Sequence, residues 1–116
     1  MLGAILSWAK RLFLGRFPNS TKYRTVIVDR RALGEAAIAR GRTIAIFAPG
    51  GHPKWMFIKC PCRCGDTLAL NLMVSQSPCW TVSATADGRA TVHPSVDSTR
   101  CGAHFWIRDG GLTWCE

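Results

Sequence analysis

The chain has 116 residues, of which 47% are hydrophobic, and carries a formal net charge of +8. This length suits one small domain, and the hydrophobic fraction is ordinary for a globular protein, which argues against disorder. No apolar run is long enough for a membrane-spanning helix, and the N-terminus lacks the pattern of a secretory signal. Because thiols stay reduced without export, we expect a cytoplasmic protein whose cysteines bind metal rather than form disulfides.

The positive charge is concentrated in the N-terminal third of the chain. Residues 1–42 carry nine Lys or Arg against two acidic residues, a net charge of +7, whereas residues 43–116 carry a net charge of +1. A basic N-terminal segment can attract nucleic acid, anionic lipid or an acidic protein, or it can be a solvated surface without a partner. Aromatic and basic residues do not interleave in residues 43–116 as a stacking platform requires, which disfavours nucleic acid.

The first predicted element is an amphipathic basic helix within residues 1–18. Lys10 and Arg11 lie off its apolar face, and Pro18 follows its end. This helix can pack on the domain, lie on a membrane surface or contact a partner. The apolar positions of the helix are Leu2, Ile5, Leu6, Ala9, Leu12 and Phe13.

Residues 19–116 are predicted to form one zinc-containing β-rich domain.

The next segments alternate between strand and helix patterns. Residues 23–28 are rich in β-branched and aromatic side chains and predict a strand, after which Asp29 is expected to cap a short helix. Residues 43–48 and Trp55–Lys59 flank a Gly/Pro turn and predict a hairpin. Five further strands are expected at residues 67–74, 80–85, 90–92, 104–107 and 112–114. The turn at residues 109–111, between the last two, predicts a second hairpin. The fold class expected is β-rich α+β, with a small antiparallel sheet, a zinc knuckle and one or two helices.

Two short clusters of cysteine and histidine are the strongest chemical signal. Cys60, Cys62 and Cys64 lie within five residues, and Cys101 comes much later, followed by His104. Neighbouring cysteines on an extended chain point to opposite faces and rarely form a disulfide with each other. Thiolates and imidazoles in two such clusters are what a tetrahedral zinc ion needs. Buried thiols or a redox pair are the alternative, but chance rarely places five candidate ligands in two compact clusters.

Two ligand sets are compatible with this spacing. The preferred set is Cys60, Cys62, Cys64 and Cys101, and the competing set replaces Cys62 with His104; the spacing does not choose between them. Four protein ligands would make the zinc structural, whereas three ligands and a water would make it catalytic.

A candidate nucleophile lies just ahead of the second cluster. Pro94 is expected to break the strand and to place Ser95 outside regular pairing. A serine on such a turn, with a histidine brought near by a metal-tethered loop, can be activated for attack. His104 or His93 would be its base, and Asp97 could orient that base. The competing interpretation is a serine that only hydrogen-bonds its own turn, and spacing alone favours it.

Taken together, these motifs resemble one small bacterial family, catalogued as a domain of unknown function (six-five-two-seven). The resemblance begins near residue 43 and rests on the Lys-Cys-Pro-Cys-x-Cys-Gly core of residues 59–65, the Pro-Ser-Val of residues 94–96 and the Cys-x-x-His-Phe-Trp-Ile-Arg-x-Gly of residues 101–110. Family members occur beside ubiquitin-like proteins and relatives of the E1 and E2 conjugating enzymes. They are regarded as zinc-containing peptidases that process or remove the ubiquitin-like protein.

The resemblance implies roles for individual positions. The cysteines of both clusters and His104 fall on the family's Cys/His pattern, and Ser95 falls on its Pro-Ser turn. Two departures affect these roles. Ala103 stands where a serine is often seen, so no role can rest on that position, and His93 stands where a small or hydroxyl residue is common, which could alter the assignment of the base.

With the resemblance, the expected function is that of a peptidase that processes or deconjugates a ubiquitin-like protein in a bacterial ubiquitination-like pathway. In the favoured mechanism Ser95 attacks, His104 is the base and zinc is structural, because a thiolate-rich site makes zinc a poor Lewis acid and the cluster has no nearby Glu. One alternative is a metallopeptidase that uses a metal-bound water. The other is a non-enzymatic, zinc-ribbon-like adaptor. The implied partners are the ubiquitin-like protein and E1- or E2-like enzymes.

Overall fold

The computed structural model describes residues 22–115, so the predicted N-terminal helix lies outside the described residues. Within residues 22–115, the elements in chain order are β1 (Arg24–Val28), α1 (Arg31–Ile38), β2 (Thr43–Phe47), the 3-10 turn Pro49–Gly51, β3 (Trp55–Lys59), β4 (Thr67–Asn71), β5 (Thr81–Ala84), β6 (Ala90–Asp97), β7 (His104–Arg108) and β8 (Gly111–Trp114). In this part of the chain no helix is long and apolar enough to cross a membrane.

The strands form two four-stranded sheets rather than the single small sheet predicted. The first has the order β1-β2-β3-β4 and the second β5-β6-β7-β8. β1 and β2 are parallel, which the prediction of an antiparallel sheet missed, because α1 forms the crossover connection that parallel strands require. All other pairs are antiparallel, including the predicted β2–β3 and β7–β8 hairpins. The β-rich α+β class is therefore confirmed, with the sheet divided in two.

The main hydrophobic core lies between the two sheets. Alternation along β2 and β3 sends one set of side chains into this core and the other set towards α1. These two strands therefore form a middle layer that is buried on both faces. The largest fully buried side chains from the first sheet are Ile44, Met56 and Ile58, and those from the second are Val92, Val96, Phe105 and Ile107.

The short helix packs on the outer face of the first sheet. Ile38 contacts Phe57 in a second, smaller core cluster. The helix begins one residue later than predicted, because the Arg30 carbonyl accepts a hydrogen bond from the Gly34 amide, which makes Arg30 the N-cap residue. Asp29 is exposed and does not cap the helix, so that prediction is wrong.

The β4 strand ends at Asn71, three residues earlier than predicted. The buried side-chain amide of Asn71 donates hydrogen bonds to the carbonyls of Met73, Gln76 and Pro78, at 3.0, 3.3 and 2.9 Å. A side chain that binds backbone groups in this way competes with ladder pairing. The chain consequently leaves the sheet at Asn71 and forms a compact loop before β5.

The β7–β8 turn offers a direct test of the fold. Gly110 has a φ of +81°, and a Cβ there would lie 3.0 Å from Lys22 Cβ and 3.2 Å from the Tyr23 carbonyl oxygen. Since both the backbone conformation and the space exclude a side chain, we expect Gly110→Ala to lower the free energy of unfolding by about 2 kcal/mol. Urea unfolding measures this loss. Gly111→Ala is the matched control, because Gly111 has no positive φ and its nearest neighbour would lie at 3.4 Å; equal losses in the two variants would contradict the interpretation.

Candidate active site and metal centre

The first cysteine cluster lies on a tight turn that follows β3. The Cys60 amide donates to the Asp66 carbonyl at 2.9 Å, and the Arg63 amide donates to the Cys60 carbonyl at 3.2 Å. Arg63 adopts a positive φ of 69°, which an ordinary side chain adopts only where surrounding structure enforces it. The curled backbone turns the side chains of Cys62 and Cys64 towards that of Cys60, instead of alternating them as a strand would.

The second cluster lies on the connection between β6 and β7. The Ser98 amide donates to the Ala103 carbonyl at 2.7 Å, and the Gly102 amide donates to the Ser98 carbonyl at 2.8 Å. Gly102 has a φ of +77°, a conformation that glycine adopts without a steric penalty. These bonds close a small loop that presents the Cys101 thiol to the turn after β3.

The two clusters meet to form one group of four thiols: Cys60, Cys62, Cys64 and Cys101. All four Sγ atoms lie within 4.8 Å of one another. The Sγ atom of Cys60 is 3.3 Å from that of Cys62 and 3.5 Å from that of Cys101. A tetrahedral ion with Zn–S bonds near 2.3 Å would separate its sulfur ligands by about 3.8 Å. The group could therefore hold a metal ion, and His104 is not one of its members.

The protonation of these thiols differs with their surroundings. Burial raises the pKa of the Cys60 thiol to about 12. Hydrogen bonds with the Ser98 side chain and the Ala103 backbone lower the pKa of the exposed Cys101 thiol to about 6. A bound divalent cation favours the thiolate form of every ligand, so metal binding at this cluster is coupled to proton release, above all from Cys60.

The β6 strand carries a bulge at the position of the predicted nucleophile. The strand continues through its proline to Asp97, so the predicted strand break is wrong, but pairing with β7 shifts register there. Val92 lies opposite Ile107 and Val96 lies opposite Phe105, which leaves three residues of β6 against a single residue of β7. Bulges re-aim side chains relative to a regular ladder, and this one includes Ser95.

The bulge brings a serine hydroxyl to an imidazole. Ser95 Oγ and His104 Nε2 are 2.9 Å apart, and both residues are half-buried. Asp97 lies directly across the strand pair from His104, yet the two side chains form no hydrogen bond, so the orienting role predicted for Asp97 is not observed among the described residues. His93, the other candidate base, instead lies against the Trp106 ring, with centroids 6.1 Å apart.

The four-cysteine group and the Ser–His pair meet at the connection between β6 and β7. Ser95 precedes the buried Ser98 by three residues, and Cys101 precedes His104 by three. An ion pair at 3.4 Å between the exposed Arg100 and the half-buried Asp66 joins this connection to the turn after β3. A metal bound by Cys101 and the turn after β3 would therefore restrain the loop on whose two sides the serine and the histidine stand.

Two contacts of the site were not predicted from the sequence. The indole N–H of Trp80 donates to the Ser95 carbonyl at 3.2 Å, and Cys101 Sγ lies 3.5 Å from Ser98 Oγ. Ser98 could have been noticed because it stands three residues before a candidate ligand. Nothing in the sequence marks Trp80 in this way, since the pattern of residues 80–85 indicates only a strand that begins there.

A serine hydroxyl within hydrogen-bonding distance of an imidazole is an arrangement that serine hydrolases use, and here it lies in a small β-rich protein of two packed sheets with a four-cysteine group. A family model described as "Bacterial ubiquitination-like system serine protease (BubE)" matches residues 31–115. The chain therefore belongs to the BubE family of serine proteases of a bacterial ubiquitination-like system, and the predicted resemblance is confirmed. The match begins earlier than residue 43 and includes α1. No curated protein and no solved structure matches the chain significantly.

Proposed function

We propose that this protein is a serine peptidase in which Ser95 is the nucleophile and His104 the general base. The observation that carries the proposal is the 2.9 Å contact between Ser95 Oγ and His104 Nε2. This distance lies within the range of about 2.6–3.2 Å over which a base can accept a proton directly. Membership of the BubE family supports the reaction class.

The reaction follows from this pair. His104 Nε2 takes the hydroxyl proton as Ser95 Oγ forms a bond to the scissile carbonyl carbon. The protonated imidazole then gives that proton to the leaving amine, and the carbon–nitrogen bond breaks to leave an acyl-enzyme. A water molecule, deprotonated by the same imidazole, attacks the ester and releases the carboxylic acid product, and the proton returns to Ser95.

We propose that the metal is zinc and that its role is structural. Four thiolates suit a soft or borderline cation, and four protein ligands leave no open position for a reacting water. When bound, zinc would join the turn after β3 to the β6–β7 connection. The metallopeptidase alternative is less well supported, because His104 contacts Ser95 rather than the cysteine group.

We propose that the substrate is the extended C-terminal tail of a ubiquitin-like protein, or the bond between that tail and a target. The family's place in a ubiquitination-like system supports this substrate class. E1- or E2-like enzymes of the same system would then be transient partners. An adaptor that binds the ubiquitin-like protein without cleaving it is the competing function.

The test is incubation of the full chain with a ubiquitin-like protein of the same system that carries a C-terminal extension. We expect a single cleavage at the end of the tail, detected by intact-protein mass spectrometry, and covalent labelling of Ser95 by a fluorophosphonate probe. Stable association with neither cleavage nor labelling would contradict the proposal and would support the adaptor.

A further inference from the structure

The backbone that carries Ser95 is only partly held by its own sheet. The register shift between Val92 and Val96 interrupts the β6–β7 ladder at this point. An interrupted ladder leaves local backbone groups in need of other partners. The Ser95 carbonyl has its partner outside the sheet: it accepts a hydrogen bond from the indole N–H of Trp80 at 3.2 Å.

Trp80 is itself held by the first sheet. Its backbone amide donates to the carbonyl of Asn71, the last residue of β4, at 2.8 Å. The Asn71 side chain, 7% exposed, binds three carbonyls of the loop that leads to Trp80. The indole packs against the core between the sheets. A continuous set of contacts thus runs from β4 through Trp80 to the backbone of Ser95.

We propose that Trp80 is a positioning residue for the nucleophile, which its indole N–H holds at bonding distance from the base. The inference rests on the proposed role of Ser95. Trp80 would take no part in the proton transfers and would act only through the Ser95 backbone. Displacement of a reacting group by about 1 Å can cost about 100-fold in rate, so loss of one restraint at a bulge is expected to be visible in kcat.

The test compares two tryptophans of the full chain. Trp55 and Trp80 both line a cavity of about 300 Å³, but only Trp80 has a hydrogen bond to Ser95. We expect Trp80→Phe to lower kcat for the tail-extended ubiquitin-like substrate by about tenfold or more, with KM nearly unchanged. The rate of fluorophosphonate labelling at Ser95 should fall by a similar factor. Trp55→Phe should change neither quantity.

A second variant separates the lost hydrogen bond from lost packing. Benzothienylalanine in place of Trp80 keeps the shape of the indole and replaces its N–H with sulfur, so it should reproduce the loss of kcat while the unfolding midpoint stays near that of the unaltered protein. If Trp80→Phe does not fold, this variant decides the question.

Two results would overturn the inference. One is unchanged kcat and labelling when the N–H is removed. The other is a raised KM at unchanged kcat, which would make Trp80 a wall of the substrate site rather than a positioning residue. Failure of the probe to label Ser95 in the unaltered protein would instead refute the proposed function, so the two failures are distinguishable.

Discussion

Replacement of Ser95 by alanine is expected to abolish cleavage of the ubiquitin-like substrate, with a loss of activity on the order of 10³-fold or more. The hydroxyl is the group that forms the bond to the carbonyl carbon, and alanine offers no substitute. Metal content and the unfolding midpoint should change little, because the side chain is half-buried and lies outside the cysteine group. Elemental analysis and thermal unfolding of the same preparation check this point, and mass spectrometry measures the cleavage.

His104→Ala should produce a loss of similar size for a different reason. Without the imidazole the serine keeps its proton and remains a weak nucleophile. Because nucleophile and base act as one unit, the double variant should be no slower than either single variant. Metal should remain bound, since His104 does not belong to the cysteine group. Loss of metal in His104→Ala would assign the histidine as a ligand, and full activity of Ser95→Ala would exclude the serine mechanism.

Removal of the metal is expected to unfold or aggregate the domain. A structural zinc site contributes apparent binding free energies of about 10 kcal/mol or more at neutral pH, which is comparable to the whole stability of a small domain. Cys60→Ser should therefore lose both the metal and cooperative unfolding, and treatment of the unaltered protein with a chelator should do the same. Cys60→Ser should be more damaging than substitution of the exposed cysteines of the group, because Cys60 is buried and only 4% exposed.

The control for this experiment is Cys79→Ser. Cys79 is a half-buried free thiol outside the four-cysteine group, so its replacement should leave metal content and activity intact. Substitution of cobalt into the unaltered protein should give thiolate-to-metal charge-transfer bands. Absence of those bands, or full metal content in Cys60→Ser, would refute a thiolate metal site.

Local features of this fold follow directly from the sequence. The hairpin at residues 109–111 and the strands on either side of it were predicted, because turn residues and side-chain alternation act over a few positions. The Cys-Pro-Cys-x-Cys-Gly turn was likewise identifiable, since crowded thiols have few other uses. In contrast, the ends of β4 and β6 were misplaced. Asn71 ends β4 through its loop contacts, and β6 continues past Pro94 because β7 pairs with it both before and after the bulge, at Val92 and at Val96.

The candidate site, like the fold, could be predicted only in part from the sequence. The residue types and spacing predicted a thiol-rich metal site and singled out Ser95 and His104, and the resemblance to the family identified the pathway. Spacing could not choose between Cys62 and His104 as a ligand, could not separate His104 from His93 as a base and gave no sign of Trp80.

What the sequence determined by itself is therefore the set of chemical groups and the turns that carry them. Only the tertiary structure decided how they combine, because a ligand set and a catalytic pair depend on which side chains converge in space. Here that convergence is produced by the packing of two sheets, by a register shift in β6 and by the loop that presents Cys101 to the turn after β3. Each of these joins residues that are far apart in the chain, and no local pattern specifies such a contact.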